Sequence, residues 1–223
     1  MGHPVQQDAG MDRQLADLVK PGQTAIVAQE CQGATMGTNA GLAMLAGEAR
    51  RVALPNILRL LPVARATGVH IVHCLVQRRP DGLGSNHNAL LFDANSGPGK
   101  GRVDITPGSP GAELIPEVCP EPSDLILRRW HGVGPMGGTD LDAVLRNLGV
   151  STIVVVGVSL NIAIPNLVMD AVNAAYRVVL PRDAVAGIPT EYGEAIIANT
   201  LSLLATITTT DELLRAWGAQ SKR

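Results

Sequence analysis

Residues 151–166, STIVVVGVSLNIAIPN, decide how the rest of this chain is read. A β-branched run from Thr152 to Val156 leads into Gly157 and, past Ser159, into a segment that reads as a helix over 161–176. A strand that is apolar on both faces belongs inside a parallel sheet covered by helices on either side. The turn at the carboxyl end of such a strand is where open α/β sheets collect ligands and catalytic groups. Yet beyond Ser159 this turn offers only Leu, Asn, Ile, Ala and Pro.

Working outward, the same strand character recurs in TAIVAQE (24–30), VHIVHCLV (69–76), DLILRRW (124–130), YRVVLP (176–181) and ATITT (205–209). Between them lie helical patterns. Leu54, Ile57, Leu58 and Leu61 share one face, with Pro62 expected to kink or stop that helix. Thr139 and Asp142 stand in capping-box positions ahead of the stripe Leu141, Val144, Leu145, Leu148, and Gly149 closes it. Further helices are expected over 190–204, with Glu191 and Glu194 near the positive end, and over Asp211–Trp217. Alternating strands and helices predict an α/β fold: a three-layer α/β/α sandwich with a mainly parallel sheet. One domain is expected over 1–223, with 1–22 as a polar N-terminal extension and no internal repeat. The stretch 77–111, rich in Gly, Pro, Asn and Asp, is longer than an ordinary connection and is expected to be functional or mobile.

Composition narrows the function classes. With 223 residues, 46% hydrophobic, 17% charged and a net charge of −2, the chain has material for a full core and no charge excess to recruit nucleic acid or an acidic membrane. Aromatics make up 2%, too few for base-stacking platforms. No apolar run approaches the roughly 20 residues that span a bilayer, and the N-terminus lacks the apolar segment of a secretion signal. Three scattered cysteines, Cys31, Cys74 and Cys119, fit reduced thiols. A cytoplasmic protein is expected, with no nucleic-acid or membrane partner.

Several motifs carry less than they promise. GVGPMG (132–137) matches the dinucleotide fingerprint, but the next strand ends in GVSLN without the acidic residue that would hold a ribose. GVSLN itself is one residue away from a nucleophile elbow, yet all five histidines precede Ser159, and those hydrolases place theirs after the serine. His70 and His73 have odd spacing and face opposite sides of a strand, so no metal site is expected, and no cofactor. What stands out is spread over three strand ends: Glu30, Arg129 and the 157–163 turn. An acid, a permanent cation and a helix N-terminus with free amides make a candidate site. An ordinary Glu–Arg pair beside a tight turn is the plainer alternative.

At these positions the chain resembles the isochorismatase-like (cysteine hydrolase) family, through AIVAQECQ (25–32), GGTDLDAVLRNLGVSTIVVVGVS (137–159) and DAVNAAYRVVLPRDAVAG (170–187). The resemblance implies a six-stranded parallel sheet between helices and a homo-oligomer, dimer or tetramer. Amidases of that family use an Asp, a Lys and a Cys. The Asp falls on Glu30; the Lys falls on Arg129, with Arg128 and Trp130 left open by one residue of gap; the Cys falls on Ala163. The turn of the family carries a cis peptide, here between Val158 and Ser159, which aims the amides of Ser159 and Ala163 into the site as an oxyanion hole. Gln32, His73, His87, Trp130, His131 and Asn161 are the candidate lining. The resemblance thus implies a hydrolase acting on a small carboxylate, amide or vinyl ether without a cysteine nucleophile. The competing reading is a silent relative that keeps the pocket for a small ligand.

Overall fold

A computed structural model describes residues 13–92 and 103–220. Six strands run parallel in the order β3-β2-β1-β4-β5-β7: β1 (Thr24–Gln29), β2 (His70–Val76), β3 (Leu125–Arg129), β4 (Thr152–Val158), β5 (Arg177–Pro181) and β7 (Thr206–Thr208). A two-residue strand that the sequence does not announce, β6 (Val185–Ala186), pairs with the end of β4. The chain fills one side of β1 with β2 and β3, then crosses back to place β4 and its successors on the other. The direction of winding therefore reverses between β1 and β4, the kind of switch point at whose carboxyl ends open α/β sheets bind ligands.

The strands are apolar on both faces because both are covered. Ile26, Ala28, Val154 and Val156 pack toward Ile57, Leu60, Leu61 and Trp217, on α3 (Leu54–Thr67) and α7 (Thr210–Gln220). Ala25, Val27, Ile153 and Val155 pack toward Leu141, Leu145, Ile164, Leu167 and Ile197, on α4 (Leu141–Asn147), α5 (Ala163–Asn173) and α6 (Thr190–Asn199). Burying each such aliphatic side chain contributes about 1.5–3 kcal/mol. Residues 13–18 are helical ahead of β1, two short helices, α1 (Gly33–Met36) and α2 (Ala43–Glu48), lie between β1 and α3, and a π-helical stretch over Ala49–Ala53 joins α2 to α3.

Two local expectations need correction. Pro62 does not stop α3, which runs to Thr67 and ends on left-handed Gly68. Pro62 is on the solvent side, where the carbonyl it leaves unpaired can be hydrated, while Ile57, Leu60, Leu61 and Ala64 hold the other side in the core. The capping box at α4 is only half formed. Thr139 Oγ1 accepts the Leu141 N–H at 3.2 Å, but the Asp142 carboxylate is taken by Arg146 and by the Tyr176 hydroxyl at 2.9 Å. Part of the 77–111 stretch, and residues 1–12 of the N-terminal extension, lie outside the described residues.

Candidate functional site

The parallel register brings the site together. Gln29 on β1 is level with Cys74 on β2 and Gly157 on β4, and Cys74 is level with Leu127 on β3. Glu30, Arg129 and the Val158–Ser159 peptide lie one or two residues beyond that row, on the same edge of the sheet. Gly157 sits at φ 110°, and a Cβ there would lie 2.1 Å from the Gln29 carbonyl oxygen, so only glycine lets β4 approach β1 this closely.

Glu30 closes β1 in a left-handed conformation (φ 51°), unusual for a residue with a side chain. Its N–H donates to the Cys74 carbonyl at 2.9 Å, and its own carbonyl accepts the Thr35 hydroxyl. Its carboxylate Oε1 accepts from Arg129 Nη2 and, at 2.9 Å, from Gln29 Nε2. That leaves Oε2 without a donor among the described residues. The pair is largely desolvated: the Arg129 side chain is 4% exposed and that of Glu30 14%. Arg129 Nε and Nη1 and Gln29 Oε1 are buried with no partner among the described residues. Such orphans cost about 1–3 kcal/mol each and are rare away from working sites.

The structure also sorts the three candidates for the cationic position. Arg128 points to the surface and pairs with Glu113 at 2.6 Å, and Trp130 is half exposed, so Arg129 is the residue that meets Glu30. Arg129, Trp130 and His131 line a cleft of about 410 Å³ with Cys74, Thr139 and Asp140.

Beyond Gly157 the Val158–Ser159 peptide is cis. The turn is held by Leu160 N–H on the Ala186 carbonyl (2.8 Å), by Ile164 N–H on the Ser159 carbonyl (3.0 Å), and by Asn161. The Asn161 side chain accepts from Ile188 N–H at 3.0 Å and donates back to the Ile188 carbonyl, which makes it a brace between two loops. The amides of Ser159 and Ala163 have no acceptor among the described residues. Ala163, nearly buried, opens α5 with a methyl group.

Other candidates are placed elsewhere or serve the scaffold. Gln32 is fully buried and uses its whole amide on backbone: it donates to the carbonyls of Val76 (2.9 Å) and Gly111 (2.8 Å) and accepts from Val76 N–H (2.7 Å). His87 is exposed, in a segment tied to the 131–132 turn by Gly132 N–H on Asn86 Oδ1 (2.7 Å). His73 faces the α3 side of the sheet, away from the cleft, with Nε2 3.3 Å from Asp124 Oδ2. Asp124 in turn accepts from Arg65 at 2.6 and 3.2 Å. Gln29 is the residue that the sequence reading missed. Its one signal is an amide at the end of an otherwise apolar strand.

The His73 cluster sets a pH dependence of stability. Burial pushes the His73 imidazole below its usual value, against the opposing pull of its hydrogen bond to Asp124. Burial would raise Asp124, but the hydrogen bonds from Arg65, the Glu121 N–H and His73 hold it below the usual carboxylate range. Below about pH 6.5 the unfolded chain therefore binds a proton that the native state resists, and stability falls as pH drops, by at most about 1.4 kcal/mol per pH unit from this group. We expect the urea midpoint to fall between pH 7.5 and 5.5. His73→Gln, which keeps a donor for Asp124 but does not titrate, should flatten that fall; an unchanged slope would remove His73 as its cause.

The buried thiols are poor nucleophiles. Burial, then the Glu30 charge, pushes Cys31 up to about 12. Burial does the same to Cys74, to about 12, against the lowering effect of Arg129. Among the described residues no cluster of His, Cys, Asp or Glu could hold a metal, and no helix is long and apolar enough to cross a membrane.

Comparison with known proteins agrees with this architecture. The chain is 28% identical over 178 residues to ureidoacrylate amidohydrolase RutB of Rhizobium rhizogenes, covering 74% of this chain and 71% of that protein. Among solved structures, a cysteine hydrolase from Pseudomonas syringae pv. phaseolicola superposes with a TM-score of 0.76 at 23% identity, covering 91% of this chain and 95% of that one. N-carbamoylsarcosine amidase from Thermoplasma acidophilum does so with 0.68 at 22% identity, covering 85% and 97%. The isochorismatase domain model matches residues 24–212, nearly the whole sheet and both helical layers, so the chain belongs to the isochorismatase family.

Proposed function

We propose that this chain hydrolyses the C–N bond of a small carbamoyl or ureido compound, with water as the nucleophile and no covalent enzyme intermediate. Glu30 Oε2 takes a proton from the attacking water as its oxygen bonds to the carbonyl carbon. The amides of Ser159 and Ala163 hold the oxyanion that forms, and Glu30 returns the proton to the leaving nitrogen as the C–N bond breaks. Arg129 keeps Glu30 in place and provides positive charge beside the developing anion. It cannot act as a neutral base in the manner of a lysine.

The observation that carries this reading is the held carboxylate: Oε1 is fixed by two donors and Oε2 is left over, at the end of the strand that runs beside β4 and its turn. Attack by water needs a group that accepts a proton, and Glu30 Oε2 has no donor on it among the described residues, whereas opening a vinyl ether begins with proton donation. The named relatives include an amidohydrolase and an amidase, in agreement with C–N cleavage. A panel of N-carbamoylglycine, N-carbamoyl-β-alanine, nicotinamide and a vinyl ether, followed by ammonia release and proton NMR, tests it. Ammonia from a carbamoyl compound is the expected result. Raised Tm without turnover of any of the four would instead favour the silent binding protein, and turnover of the vinyl ether alone would overturn the amide reading.

A further inference from the structure

We propose that Gln29 is a positioning residue of this site, fixing the Glu30 carboxylate through its amide nitrogen while its own amide oxygen stays unpaired. The inference rests on the reading of Glu30 as the base. Gln29 is the last residue of β1, fully buried between Cys74 and Gly157 in the register. Among the described residues its side chain makes one hydrogen bond, Nε2 to Glu30 Oε1 at 2.9 Å, and its Oε1 has no partner.

Gln32, three residues on, shows what a structural glutamine does here: both ends of its amide are used on backbone, joining β2 to the loop at Gly111. Gln29 joins no two elements of the fold. A side chain of equal length without an amide would lose one hydrogen bond and relieve one orphan acceptor, so the amide is not there for stability. What it adds is direction. Arg129 alone, on β3, can follow a glutamate carboxylate as it rotates. A second donor on the same oxygen, from β1 itself, leaves one rotation of the carboxylate and therefore one place for Oε2. The left-handed backbone at Glu30 fits the same picture, since a strained residue at a cleft is held for a purpose other than stability.

Gln29→Met tests this, because methionine keeps the length and removes the amide. With N-carbamoylglycine as the probe, we expect kcat to fall about ten- to a hundredfold, as it does when a catalytic group is misplaced by a fraction of its reach, with KM within about twofold and Tm unchanged or raised. Retained kcat with a Tm several degrees lower would make Gln29 a structural residue and overturn the proposal. If the wild-type protein does not turn over the probe, the proposed function fails on its own account. High-resolution crystal structures of both proteins then decide about Gln29. One Glu30 conformer in the wild type and several in Gln29→Met support the positioning role, and the same single conformer in both overturns it.

Discussion

Glu30→Gln is expected to reduce turnover of a carbamoyl substrate by about 10²–10⁴-fold, the contribution typical of a general acid–base group, while iodoacetamide leaves wild-type turnover unchanged. The substitution keeps the size of the side chain and an oxygen to accept from Arg129 and Gln29 but leaves the buried Arg129 charge without its counter-charge, so Tm should also fall and turnover is compared where circular dichroism shows both proteins folded; what it removes at the site is the ability to take and return a proton. Alkylation is expected to be harmless because no thiol stands in the turn, where Ala163 opens α5. Cys31 and Cys74 are buried and held as thiols, each pushed up to about 12. Cys119 is exposed but follows the 3-10 turn Pro116–Val118, where its carbonyl accepts from Arg65, away from Glu30 and the Ser159–Ala163 turn in the sequence and the sheet. Turnover before and after alkylation, with Cys119→Ser as the control, settles the matter. Loss of activity traced to any cysteine would mean that a thiol is the nucleophile, and the water mechanism would have to be abandoned.

The second large effect is on stability. Arg129→Met is expected to lower the unfolding free energy by about 3–5 kcal/mol, since removing one partner of a buried ion pair leaves the other desolvated and unpaired. For a domain of this size each kcal/mol shifts Tm by roughly 2–4 °C, so a fall of about 6–20 °C should be read by calorimetry. The double variant Glu30→Leu, Arg129→Met removes both charges together and should recover most of the loss, because apolar replacements of buried pairs are often neutral or stabilising. A single variant that melts within about 2 °C of the wild type would show that the pair is effectively solvated. A double variant as unstable as Arg129→Met would shift the cause to packing of the arginine stem rather than its charge.

The pair supports the fold only while both partners are present, and its surroundings carry features that cost stability. Arg129 carries two unpaired nitrogens, Gln29 an unpaired oxygen and Glu30 a left-handed backbone. A sequence under selection for stability alone would fill this space with aliphatic side chains, as it does at Ala28 and from Ile153 to Val156 on β4. Natural proteins hold such features where function requires them.

Read without coordinates, the sequence by itself determined the layers of this protein. Runs such as TAIVAQ and TIVVVGV, alternating with helical stripes, admit few arrangements other than a parallel sheet covered on both faces, because both signals are set by neighbours two to four residues apart. It also carried the candidates at the strand ends, Glu30, Arg129 and the turn at Ser159–Ala163, since their position depends only on where each strand stops. What the tertiary structure decided is which side chains meet. That Arg129 rather than Arg128 reaches Glu30 follows from the side of β3 on which it falls, and the pair spans 99 positions of sequence. His73 sits on Asp124 and Arg65 behind the sheet for the same reason of strand facing. Gln29, one more polar residue at the end of a strand, acquires its role only when the register sets it between Cys74 and Gly157 beside two charged groups. Strand order and facing are long-range properties, fixed by the packing of the whole core, and no local pattern encodes them.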